Sequence, residues 1–130
     1  MPTRAHGTFT VKMNKLPTDE SSPLARMSID KEFQGDLAGT SKGEMLTIGT
    51  ATKGSAVYVA IEHVTGTLGG KSGSFSLHHT GIMNRGAPSL TISVVPDSGT
   101  DELAGLTGTL NIMIEGGQHS YEFDYELPAE

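Results

Sequence analysis

Residues 54–81, GSAVYVAIEHVTGTLGGKSGSFSLHHTG, constrain the fold more than any other stretch, because two alternating runs flank a cluster of glycines. In the first run Val57, Val59 and Ile61 alternate with Ala56, Tyr58, Ala60 and Glu62. β-Branched residues gather on one parity, as they do on a pleated, half-buried surface. In the second run Phe75, Leu77 and His79 share one parity and Ser74, Ser76 and His78 the other. Between them, Leu68 to Gly73 holds three glycines that take positive φ without a Cβ clash, which a reversing loop requires. A turn centred on Lys71 would set Phe75 against Thr67, Leu77 against Thr65 and His79 against His63, joining the odd parities into one apolar face. A slip of one residue would turn one limb inside out, so register is the sensitive quantity.

The same period of two recurs along the chain. Phe9, Val11 and Met13 alternate within His6 to Lys15, and Met27, Ile29 and Phe33 within Leu24 to Phe33. Lys31 breaks that second row, which predicts a strand end or barrel mouth, with its stem buried and its ammonium wet. Gly35 and Gly39 bracket a short extended piece, and Lys42-Gly43-Glu44 leads into Met45 to Thr52; glycines at this density mark bends. After the hairpin, Gly81 to Pro88 reads as a loop, and Leu90, Ile92 and Val94 as a strand stopped by Pro96. Between Pro96 and Gly108 one short helical turn is expected over Thr100 to Ala104, capped by Asp97 or Ser98. Leu110, Ile112 and Ile114 then form a row, Glu115 to Gln118 a tight turn, and His119, Tyr121, Phe123, Tyr125 and Leu127 a final strand with an acidic outer face.

Seven or eight strands joined by turns too short for crossover helices make an antiparallel meander. The expected fold is therefore all-β, an eight-stranded antiparallel up-and-down β-barrel with at most one helical turn, and a two-sheet sandwich is the alternative. One domain over residues 1–130 is expected from the length.

Composition removes several function classes. There is no cysteine, which excludes disulfides, thiolate nucleophiles and Cys-ligated zinc and suits a reducing cytoplasm, the expected location. No apolar run approaches the ~18 residues of a membrane span, and MPTRAHGTF lacks the apolar core of a signal peptide. No Lys or Arg follows Arg85, while Asp97, Asp101, Glu102, Glu115, Glu122, Asp124, Glu126 and Glu130 do, so nucleic acid is not an expected partner. Ser98-Gly99-Thr100 lacks a phosphate-loop pattern and lies among acids, so it reads as a turn.

The stretches GSAVYVAIEHVTGTLGGKSGSFSLHHTG, VVPDSGTDELAGLTG and GGQHSYEFDYEL together resemble a family of small, functionally uncharacterised bacterial proteins whose fold looks like the allene oxide cyclase barrel. The resemblance spans about Phe33 to Leu127. It implies an eight-stranded barrel and, by analogy, an apolar interior of the kind that holds an unsaturated fatty-acid epoxide in the plant cyclases. None of the plant enzymes' functional residues is matched here, so no role is carried over.

The residues able to carry chemistry are those that share parity with the core. His63 and His79, placed as cross-strand neighbours, and His119, Tyr121 and Tyr125 on the last strand are imidazoles and phenols suited to orienting a ligand or moving a proton. Each also serves as an aromatic filler with one hydrogen bond. Glu62 sits on the face with Tyr58, a further candidate contact, and against apolar neighbours its pKa would rise by desolvation, making it an acid or base. The alternative is an outward Glu62 next to Lys71 or Arg85. His78 and His79 point to opposite faces of a strand and cannot share a metal, and no metal or other cofactor is expected. Both faces of Ala56 to Val64 are rather apolar, which predicts a covered outer side and hence a homodimer or small homo-oligomer. Three functions remain open: a binder of a small hydrophobic or amphipathic molecule, a cyclase or isomerase using Glu62 with His79, Tyr121 or Tyr125, and a filled barrel acting as an interaction module.

Overall fold

The computed structural model describes residues 3–128; positions 1, 2, 129 and 130, the ends of the expected 1–130 domain, lie outside it. Eight strands follow in order: β1 (Thr3–Leu16), β2 (Leu24–Gly35), β3 (Leu37–Gly49), β4 (Ala56–Leu68), β5 (Lys71–Asn84), β6 (Ala87–Val94), β7 (Thr107–Glu115) and β8 (Gln118–Glu126). Each pairs antiparallel with the next and β8 returns to β1, which closes the barrel. One 3₁₀ turn, Asp101–Leu103, is the only helical element among the described residues. No helix among them is long and apolar enough to cross a membrane.

The β4–β5 turn decides which residues reach the interior. Gly69 (φ 58°) and Gly70 (φ 85°) form a two-residue reversal, so Leu68 pairs with Lys71. Consecutive positive φ angles match the right-handed twist of the flanking strands, which a longer loop centred on Lys71 would not improve. The expected register is therefore corrected: odd residues of β5 meet even residues of β4, with Phe75 opposite Val64, Leu77 opposite Glu62 and His79 opposite Ala60. Tyr58, Ala60, Glu62 and Val64 face inward, and Val57, Val59, Ile61 and His63 face out.

Three other expectations change. β3 is one continuous strand from Leu37 to Gly49, because Gly39 and Gly43 sit where β4 comes too close for a side chain rather than at bends. The expected 81–88 loop is strand on both sides of an Arg85-Gly86 turn, at φ 49° and 90°. The short helical turn is there, but Thr100 precedes it without a side-chain cap, and Ser98 Oγ is used elsewhere, donating to the Val95 carbonyl and accepting from the Ser76 amide.

Inside, the core runs through Phe9, Phe33, Leu37, Leu68, Phe75, Tyr121 and Phe123. Leu103 and Leu106, from the β6–β7 connection, are buried over the end of the barrel near the β4–β5 turn. That connection is held to β5 by backbone bonds such as Thr100 N–H to the Ser74 carbonyl, 2.9 Å. The opposite end, near Met13, Met83, Leu90 and Ile114, leaves apolar side chains exposed. There β6 and β7 pair only at Ser93 and Thr109, so residues 87–92 and 110–115 lie beside each other outside the ladder.

Candidate functional site

Inward positions stack in rows fixed by register. From the open end, Thr47, Tyr58, Gly81 and Leu90 form one row, Met45, Ala60, His79 and Ile92 the next, and Gly43, Glu62, Leu77 and Val94 a third. Lys31 lies two strands away from Glu62, opposite Ser41. Because β3 offers only Ser41 and the glycine at 43 in between, the Lys31 side chain crosses it and reaches β4. The small residues of β3 are what allow the contact.

The result is a buried polar triad. Lys31 Nζ donates to Glu62 Oε2 at 2.9 Å, and His79 Nε2 lies 2.6 Å from the same oxygen. Glu62 is fully buried, His79 is 4% exposed and Lys31 7%. The ammonium also rests on the Phe9 ring, 5.0 Å from its centroid, and near Phe33 at 5.8 Å. Burial alone would push the Glu62 carboxyl up; the hydrogen bond from His79 and the charge of Lys31 override it and hold the group at about 2. An ionised carboxylate only accepts, so the proton of that short bond belongs to His79 Nε2. Nδ1 has no hydrogen-bond partner among the described residues.

Two expectations are corrected here. Glu62 points inward, but its pKa falls instead of rising, because two donors, His79 and Lys31, converge on its carboxylate. Lys31 has its ammonium inside the barrel, paired, and not at a wet mouth.

Among the described residues, two buried side-chain polar atoms lack a protein partner: Glu62 Oε1 and Ser41 Oγ. A buried carboxylate oxygen needs a donor, and an ordered water or a ligand group can supply it.

Tyr58 stands between this triad and the open end. Its ring lies 6.4 Å from that of His79 and packs on Gly81, where an added Cβ would meet it at 2.0 Å. Burial and then the Glu62 charge raise its phenol pKa, so it stays protonated at neutral pH with its O–H free to donate. A cleft of about 350 Å³, lined by inward Thr47, Tyr58, Gly81, Met83 and Leu90 and at its rim by outward Val57 and Ile82 among others, opens at this end.

The remaining sequence candidates lie elsewhere. His63 is a correction: the two-residue turn sends it to the outer surface, where Nδ1 meets Ser76 Oγ at 3.1 Å, far from the predicted His79 partnership. Tyr121 is inward and fully buried, yet its hydroxyl is spent on the β2–β3 turn, accepting from the Leu37 amide at 2.9 Å and lying 3.0 and 3.1 Å from the Leu37 and Gln34 carbonyls. Tyr125 packs on Phe123 near the β4–β5 turn, with ring centroids 5.4 Å apart. His119 tilts against Phe9 at 5.2 Å, beside the β7–β8 turn. So Glu62, His79 and Tyr58 come together, joined by Lys31 and Ser41, which the sequence reading left out of the site. The signal for Lys31 was its place in an apolar row; its partner was hidden in the register.

The family whose profile matches residues 5–125 is described as Protein of unknown function (DUF3224). The chain belongs to this family. It is also similar to a protein of unknown function of the DUF3224 family from Shewanella oneidensis MR-1, known from a crystal structure, at 47% identity and a TM-score of 0.93 over all of both chains. None of the curated proteins matches the chain. The family and the eight-stranded barrel thus stand on these comparisons and the structure, whereas the likeness to allene oxide cyclase rests on the sequence resemblance alone. Among the described residues no group of three His, Asp or Glu side chains is placed to hold a metal ion.

Proposed function

We propose that this DUF3224 protein binds a small hydrophobic or amphipathic molecule at the open end of the barrel. The observation that carries this reading is the nearly wholly apolar cleft of about 350 Å³ that ends on Tyr58, with His79, Glu62 and Lys31 behind it. That volume lies within the range of small-molecule sites, and an apolar wall ending in a few convergent polar groups is how such sites fix orientation. Entry is favoured along the β6–β7 seam, where the ladder reduces to Ser93 and Thr109. The ligand's apolar part lies against Met83 and Leu90, and its polar end approaches the Tyr58 phenol. The protein acts in the cytoplasm, in keeping with its lack of cysteine, and as a homodimer or small homo-oligomer.

A second reading is favoured by the His79–Glu62 bond. A carboxylate that fixes an imidazole through one nitrogen leaves the other as a base, and Tyr58 supplies a proton donor beside it. In an isomerase or cyclase of this kind His79 moves the proton and Glu62 orients it.

The test is native mass spectrometry of the purified protein, followed by extraction of whatever travels with it. A stoichiometric apolar passenger, lost on Leu90→Arg and Met83→Asp substitution, is expected. No passenger, and no thermal shift of the wild type across a library of lipids and small metabolites, overturns the binding reading. Turnover of an identified passenger that disappears in His79→Ala while binding persists selects the second.

A further inference from the structure

The register that buries Glu62 also places an apolar face on the outside of the barrel. Leu24, Ile48, Val57 and Ile82 stand side by side across β2, β3, β4 and β5, forming a row without a charge. The next row is Arg26, Leu46, Val59 and Thr80, and the third Ser28, Glu44, Ile61 and His78. The fourth, Asp30, Lys42, His63 and Ser76, is polar throughout. Seven large aliphatic side chains thus occupy three adjacent rows, and Ile61 is the most exposed of them at 62%. Beside it runs an outer groove of about 740 Å³ lined by Arg26, Lys42, Leu46, Val59, Ile61 and His78 among others.

We propose that this β2–β5 face is the surface on which a second copy of the chain docks, two-fold to the first. The inference rests on the homo-oligomer reading above and names the face that forms it. Strands lie about 4.8 Å apart and alternate residues about 7 Å apart, so four strands by three rows span on the order of 400 Å² in projection. That is the size at which an apolar patch marks an interaction surface. It makes the apolar centre of the ~800 Å² that each partner buries in an ordinary interface, with the charged fourth row and its neighbours as the rim.

Charge selects the occupant. The rim carries both signs, Arg26 and Lys42 with Asp30 and Glu44, and Arg26 already binds Glu44 at 2.6 Å. A two-fold operation sets the bases of one copy against the acids of the other, whereas a partner of one sign would match half the rim and oppose the rest. The acids that follow Arg85 in sequence lie largely on β7, β8 and the connection before them, and β8 stands four strands from β4 around the barrel. Two copies joined through β2–β5 therefore keep their acidic sides apart. The prominence of Ile61 beside a groove gives such a pair a knob and a recess on the same surface.

The test compares wild type, Ile61→Glu, Val59→Glu and the control Ile114→Glu by light-scattering mass and sedimentation from low to high micromolar concentration. Ile114 is as exposed as Ile61 but stands near the end of β7, outside the face. Wild type and Ile114→Glu are expected at twice the chain mass. Ile61→Glu and Val59→Glu, with native far-UV circular dichroism, are expected to raise the dimer dissociation constant at least ~30-fold. Folded face variants that keep the wild-type mass overturn the assigned face while leaving a homo-oligomer standing. A wild type that stays monomeric overturns both.

Discussion

Gly43 faces Glu62 across β3 and β4, and a Cβ added at residue 43 would lie 2.2 Å from the Ile61 carbonyl oxygen and 2.8 Å from the Glu62 Cβ. The close approach is between backbones, so no side-chain rotation relieves it. The buried carboxylate therefore occupies its place because the opposing strand has nothing there.

Gly43→Ala is expected to destabilise the protein by about 1–3 kcal/mol or more, as overpacking of a close contact does. Gly49→Ala is the matched control, since nothing lies within 4 Å of its added Cβ. There the loss of unfolded-chain freedom is expected to stabilise by about 0.4–1 kcal/mol. Urea denaturation of both variants checks the contrast, and equal effects would remove the close-packing account of Gly43.

Lys31 and Glu62 form a buried pair whose partners depend on each other. Removing Glu62 leaves the Lys31 ammonium buried without an anion, and removing Lys31 leaves the Glu62 carboxylate with only the His79 N–H; a stranded buried charge costs about 3–5 kcal/mol, whereas removing both leaves neither stranded. Lys31→Met and Glu62→Leu should thus each be strongly destabilising, and the double variant should cost clearly less than their sum. A double-mutant cycle measures this, and strict additivity would mean that the two side chains do not act as a pair.

The strands and their count were legible because alternation is a local property: Phe75, Leu77 and His79 show it without reference to the rest of the chain. The eight-stranded barrel follows from short turns. The site was legible only in part. Glu62, His79 and Tyr58 stood out as polar groups among core neighbours, but their mutual placement depends on a turn of two residues against one of several, and six consecutive positions containing three glycines accommodate either. That choice moved His63 outside and set His79 beside Ala60. Lys31 was visible as an interruption of an apolar row; that it reaches Glu62 depends on two small residues in a third strand, a relation with no local signature.

Tyr121 is a structural tyrosine by its bonding, since its hydroxyl satisfies the Leu37 amide and contacts two carbonyls at the β2–β3 turn. Tyr121→Phe leaves the Leu37 N–H buried without a partner and is expected to cost about 1–3 kcal/mol in urea denaturation. Any passenger molecule should remain bound in the folded variant. A Tyr121→Phe protein of full stability that has lost its ligand would move Tyr121 from the scaffold to the site.

Acid stability reports on Glu62 directly. Its carboxyl is lowered from an ordinary 4.5 to about 2 in the folded protein. A depressed folded value means that the unfolded chain takes up the proton first as the solution is acidified, so protonation favours unfolding. The stability contributed by Glu62 is complete above the unfolded-chain value and is lost as the pH falls through that value toward 2. Its size is on the order of 3 kcal/mol, taking roughly 1.4 kcal/mol for each pH unit between the two values. Asp19 and Asp124 are also lowered, by a backbone bond from Ser21 and a side-chain bond from Arg4, but both are solvent-exposed and add only a shallow slope. Glu62→Gln should therefore be less stable than wild type at neutral pH and approach it as the pH is lowered, with the two unfolding curves converging at the acid end. Denaturant midpoints taken from neutral pH down to the acid limit of folding measure this convergence. Parallel curves would mean that Glu62 is not the ionised centre of the triad.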